Sequence, residues 1–161
     1  MEIERKFLVK EMPDLDNLKP IGYERYYLSE DESSIVRIQK KGDKYEREIK
    51  KSISNLEHEK VKECISEEEF DELKLGRDAD GIIREGYQLS SNPDISLKIY
   101  RGRFEGLVRV EVEFSSREDA EAFVPLAWMG TEITTSPLGA DARLSHLNKE
   151  EFLNLLANFG V

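Results

Sequence analysis

Apolar and polar residues alternate along most of this chain, and a period of two predicts β-strands. In MEIERKFLV (1–9), Glu2, Glu4 and Lys6 share one side while Ile3, Arg5, Phe7 and Val9 share the other, because successive strand side chains point to opposite faces. In LVRVEVEF (107–114), Arg109, Glu111 and Glu113 oppose Val108, Val110, Val112 and Phe114. The same pattern predicts strands at about 21–29, 33–41, 44–52, 57–65, 80–90, 94–101 and 106–115. Gly42-Asp43 folds the third and fourth into a hairpin, and Asn92-Pro93-Asp94 and Gly102 to Gly106 mark later turns.

Elsewhere a helical period takes over. Ser66 caps a helix running to about Leu75, with Glu67, Glu68 and Glu69 in its first turn and Gly76 as its stop. Ser116 caps a second, SREDAEAFV, that ends before Pro125. Apolar positions 152, 153, 155, 156 and 159 predict a third, amphipathic helix packed on the body. No repeat, low-complexity run or linker interrupts residues 1–161, which read as a single domain. The fold class expected is α+β: about eight antiparallel strands in a barrel or strongly curved sheet, flanked by a few helices.

The charges fall on one face. Strand after strand, the positions facing with Glu2 and Glu111 are Arg37, Lys50, Glu59, Arg84 and Lys98, while the opposite faces carry much of the aliphatic content. One wet sheet face with cross-strand ion pairs accounts for any single strand. Repeated over the sheet, the pattern predicts a barrel with a charged interior. Since unpaired charge is costly to bury, that lumen would hold water, ions and ligand.

Charged residues make up 36% of the chain and hydrophobic ones 39%, and the regular recurrence of the latter argues against disorder. The formal net charge of −10 argues against a nucleic-acid partner, without excluding a local basic cavity for small anions. Cys64 is the only cysteine, so no intramolecular disulfide forms, and it reads as a small packing residue. Nothing resembles a membrane span, and charges at positions 2, 4, 5 and 6 do not suit a signal peptide, so a cytoplasmic address is expected. His58 reads as a surface residue and His146 shows no partner. Assembly is left open, a homodimer included.

Two carboxylate pairs far apart in sequence, both on alternating strands, suit a hard divalent cation such as Mg²⁺ or Mn²⁺. No G-x-x-x-x-G-K-[ST] phosphate loop occurs.

The ordered set E-I-E-R-K-F-L-V (2–9), V-R-I (36–38), I-K (49–50), V-E-V-E-F (110–114) and W-M-G-T-E-I-T (128–134) resembles the CYTH domain, or triphosphate tunnel metalloenzyme, family. The resemblance implies an eight-stranded antiparallel tunnel acting on triphosphates, with carboxylates holding one or two Mg²⁺ or Mn²⁺ ions. By position it makes Glu2, Glu4, Glu111, Glu113 and Glu59 metal ligands, although Glu57-His58-Glu59 allows a rival alignment. Lys6, Arg37, Lys50 and Arg84 become the substrate-binding residues, and Glu4, Lys6 and Glu113 the catalytic set. The chain departs from the family pattern at several positions. Gln39 and Gly86 stand where arginines are usual, Ser96-Leu97-Lys98 replaces an acidic E-x-D, and Leu138-Gly139-Ala140-Asp141 replaces R-Y-x-N.

The function so implied is metal-dependent hydrolysis of a small-molecule triphosphate, inorganic or nucleoside. The alternatives are a catalytically weakened tunnel that binds polyphosphate or nucleotide, or a class IV-type adenylate cyclase.

Overall fold

The computed structural model describes residues 1–160. Its strands are β1 (Glu2–Val9), β2 (Ile21–Glu30), β3 (Ser34–Lys41), β4 (Lys44–Ser52), β5 (Glu57–Cys64), β6 (Ile82–Ser91), β7 (Asp94–Arg101), β8 (Val108–Glu113) and β9 (Met129–Glu132). Four helices flank them: α1 (Glu67–Leu73), α2 (Arg117–Ala122), α3 (Asp141–Leu144) and α4 (Lys149–Asn158). None is long and apolar enough to cross a membrane.

The sheet order is β5-β4-β3-β2-β6-β7-β8-β1-β9, and a further β5–β1 pairing closes the first eight strands into an antiparallel barrel. That seam is short. Only Glu2↔His58 and Ile3↔Glu57 pair across it, helped by the Glu4 amide donating to the Leu56 carbonyl at 3.1 Å. Farther along the same edge of β1, β9 takes over at Phe7↔Glu132 and Val9↔Met129. Outward-facing Arg5 clamps this junction. It forms a two-pronged ion pair with Glu132 and donates to the carbonyls of Ala120 and Phe123 at 2.8 and 3.0 Å.

The apolar core forms three clusters, two on the outside of the barrel and one closing its deep end. Phe7, Leu97, Val110 and Val112 lie beneath Phe123 and Trp128. Tyr26 and Ile38 meet Phe70 of α1. Ile82, Tyr100 and Phe104 meet Leu144 of α3 and Phe152 and Leu156 of α4. The sequence-predicted eight-stranded barrel with a charged interior is therefore the observed fold, with β9 and α3 added. Both additions are four-residue elements, too short to show a period. Cys64 is not a packing residue; it is exposed at the end of β5.

Candidate active site

The barrel encloses a cavity of about 570 Å³. Eleven lysine or arginine and nine aspartate or glutamate side chains line it, so its wall carries a net positive excess inside a chain of net charge −10. Alternation puts them there: positions 2, 4 and 6 of β1, 37 and 39 of β3, 48 and 50 of β4, and 109, 111 and 113 of β8 all face inward.

At one mouth the residues are mostly acidic. Antiparallel register sets Glu4 opposite Glu113, and Glu113 opposite Asp94. Lys60 Nζ lies 2.7 Å from Glu2 Oε2, while Lys50 Nζ lies 3.6 Å from Glu2 Oε1 and 3.4 Å from Glu4 Oε1. Lys6 Nζ also reaches Glu4 Oε1, at 3.4 Å. Burial works against ionisation of Glu4, but Lys6 and Lys50 win and hold it at about 2. Glu113 has no such partner. Burial, then Glu2, Glu4 and Asp94, push its carboxyl up to about 7. Glu2 Oε1 is buried without a hydrogen-bond partner. His58, expected at the surface, lines the lumen instead, where burial and then Lys50 push it down to about 4, so it is neutral.

Deeper in, the balance reverses. Asp141, at the start of α3, accepts from Arg25 at 2.9 Å and from the Tyr100 hydroxyl at 2.6 Å, with Arg109 at 3.1 Å and Arg84 at 3.3 Å. Burial opposes this ionisation, yet the three guanidiniums hold Asp141 well below the usual carboxylate range. Gly139 makes the approach possible, because a Cβ there would run into the Ile133 carbonyl. Arg109 grips Glu111 Oε2 through two N–H groups at 3.0 and 2.6 Å. On β3, Arg37 donates to Glu48 at 3.2 and 2.7 Å. Gln39 accepts from Arg25 at 3.0 and 2.6 Å and donates to Glu48 at 2.6 Å.

Of the sequence-predicted site residues, Glu2, Glu4, Lys6, Arg37, Lys50, Arg84, Glu111 and Glu113 all line the lumen. Glu59 does not. Lys50↔Lys60 and Lys51↔Glu59 fix the β4–β5 register, so Lys60 points inward and Glu59 is exposed on the outer face. Glu111 is inside but already neutralised by Arg109, with Arg84 at 3.4 Å and Lys98 at 4.0 Å. Residues the sequence reading missed are Arg25, Glu48, Lys60, Asp94 and Asp141. Strict alternation from Tyr27 and from Lys50 reaches Arg25 and Glu48; Asp141 carries no such signal.

The mouth fits a divalent cation in its chemistry. Its acidic donors are carboxylate oxygens, one of them unpartnered, with too little positive charge to ionise Glu113 fully. Among the described residues, no three acidic, histidine or cysteine side chains are already gathered as a ligand set. Binding would therefore draw Glu2 and Glu4 away from their lysines.

No protein-family profile matches the chain. An inorganic triphosphatase from Nitrosomonas europaea is 32% identical over 136 residues, spanning 83% of this chain and 89% of that protein. A crystal structure of an inorganic triphosphatase superposes with a TM-score of 0.67 at 27% identity, covering 90% of this chain and 94% of that one. A Hippeastrum protein described as a proposed adenylyl cyclase that reveals a dominant triphosphatase activity shares the fold, with a TM-score of 0.52 at 17% identity over 75% of this chain and 83% of its own. Barrel, charged lumen and relatives agree: this chain belongs to the CYTH, or triphosphate tunnel metalloenzyme, family.

Proposed function

We propose that the protein hydrolyses inorganic triphosphate with the help of Mg²⁺ or Mn²⁺. One observation carries this reading: the lumen has an under-neutralised acidic mouth leading into a basic wall, inside a strongly acidic chain. Glu2, Glu4 and Glu113 would hold the cation. When bound, it would neutralise phosphate charge and make water a better nucleophile.

The chain's own residues supply the rest. Burial, opposed by Glu4 and reinforced by Arg109 and Lys50, pulls Lys6 down to about 8, so it still carries its proton at neutral pH. Lys6 and Lys50, released from Glu4, would grip the phosphate chain. Arg37 and Arg84 would supply fixed positive charge where negative charge develops in the transition state. Asp141 and Glu48 orient those guanidiniums before substrate arrives. Inorganic rather than nucleoside triphosphate is favoured by the lumen's aromatics. Arg84 and Lys98 each lie 4.8 Å from the Tyr23 ring centroid, so cations already occupy the ring on which a base would stack. The same observation counts against an adenylate cyclase. The lone cysteine supports a reducing, cytoplasmic setting.

A second reading, binding without turnover, is favoured by the pairing of Arg37, Arg84 and Arg109 with acids of the chain itself. Phosphate release from inorganic triphosphate with Mg²⁺ or Mn²⁺ decides between them, comparing wild type with Glu4→Gln. Hydrolysis by wild type and loss in the variant are expected. Tight calorimetric binding with no release would establish the binder, and equal rates in both proteins would sink the metal-site assignment.

A further inference from the structure

We propose that Arg84 and Lys98 together form an anion subsite on the β6–β7 wall, in which Lys98 supplies the positive charge that Gly86 does not.

Gly86 is buried between the lumen-lining residues Arg84 and Gln88 of β6, and pairs in register with Lys98 of β7. A Cβ built on Gly86 would lie 2.9 Å from Tyr23 Cε1 and 3.1 Å from Lys98 Nζ. The lysine ammonium therefore occupies the space that a side chain at position 86 would enter. A Cβ at position 86 would crowd both Tyr23 and the lysine tip, so glycine and lysine form a matched pair.

Lys98 is buried, yet its nearest carboxylate oxygen, Glu111 Oε1, is 4.0 Å away, beyond hydrogen-bonding reach. Beside it, Arg84 Nε is buried with no acceptor, on a side chain only 5% exposed. Both cations lie over the same Tyr23 ring. The buried Arg84 Nε lacks an acceptor and the Lys98 ammonium holds no carboxylate within hydrogen-bonding reach, and a terminal phosphate has oxygens for both. Burial lowers the Lys98 pKa, with Glu111 opposing and Arg84 reinforcing the shift.

The subsite rests on reading the tunnel as a triphosphate site, and the two are separable. Inorganic triphosphate is titrated calorimetrically into the full chain in the presence of a chelator, and hydrolysis is measured with Mn²⁺. Lys98→Ala is expected to weaken binding and raise KM by about tenfold, the loss of one charge-assisted contact, with a smaller change in kcat. Lys98→Met keeps the apolar stem and should match it while holding the wild-type melting temperature. Gly86→Arg alone should impair binding, because the new side chain meets Tyr23 and Lys98. Gly86→Arg in the Lys98→Ala background should restore most of the affinity. Wild type that neither binds triphosphate in chelator nor hydrolyses it with Mn²⁺ overturns the tunnel reading and the subsite with it. Wild type that binds, with Lys98→Ala and Lys98→Met within about twofold of it, overturns the subsite alone. So does a double variant no better than Lys98→Ala.

Discussion

The two ends of the lumen use the same kinds of side chain to opposite effect. Around Asp141 and Glu111, guanidiniums outnumber carboxylates, both carboxyls are held well below their usual range, and each acid is shared by two or more arginines. Around Glu2, Glu4 and Glu113, flexible lysines share the acids, one carboxylate oxygen is unpartnered, and one carboxyl is held near neutrality. Arginine forks fix geometry, whereas lysine ammoniums are point charges that move. The deep end is thus a rigid electrostatic frame, and the mouth is poised to exchange lysines for a metal ion.

The comparison can be broken most directly at Asp141. Asp141→Ala would leave three buried guanidiniums short of a counter-charge, at an expected loss of about 3–5 kcal/mol in urea unfolding. An equal loss in Glu113→Gln would abolish the distinction between the two ends. Next in size is the metal itself. Glu4→Gln should weaken Mn²⁺ binding by at least about 10–100-fold, the range found even for groups behind a ligand. Glu111→Gln should change it far less, because its oxygens already serve Arg109 and Arg84; calorimetry with Mn²⁺ compares the two.

A smaller effect is expected from pH. The folded-state pKa of Glu113, about 7, lies above its ordinary 4.5, so folding favours its protonated form. Its contribution to stability is full below about 4.5 and is lost as pH rises through 7. Glu113 sits at the mouth, crowded by neighbouring groups on one side and open to water on the other, so screening should hold the change to about 1 kcal/mol or less. Melting curves in chelator across that window should show it, and Glu113→Gln or added Mn²⁺ should flatten it. Smallest of all, Glu59→Gln should alter stability by less than about 0.5 kcal/mol and leave hydrolysis untouched, as expected for an outward surface residue.

The barrel was legible because strands such as β1 and β8 alternate strictly between an aliphatic and a charged side, and the charged side turned out to be the inner one. Strand β5 defeated that reading. In EHEKVKEC both faces are polar, so no apolar stripe distinguishes Glu59 from Lys60, and only pairing with β4 settles which points inward. Arg25 and Glu48 were within reach of the alternation. Asp141 was not, because a four-residue helix after a tight turn enters the lumen through the tertiary position of Gly139 against Ile133. The matched vacancy at Gly86 and ammonium of Lys98 also needed the register between neighbouring strands.

Because most of the oily material lies on the barrel's exterior or plugs its deep end, shape and chemistry are written largely in different layers of this molecule. Paired exchanges among the inner polar positions can redraw what the hollow accepts while leaving the scaffold that surrounds it unchanged. An inward change matched by a neighbour would therefore alter what the hollow holds at little cost to the frame around it.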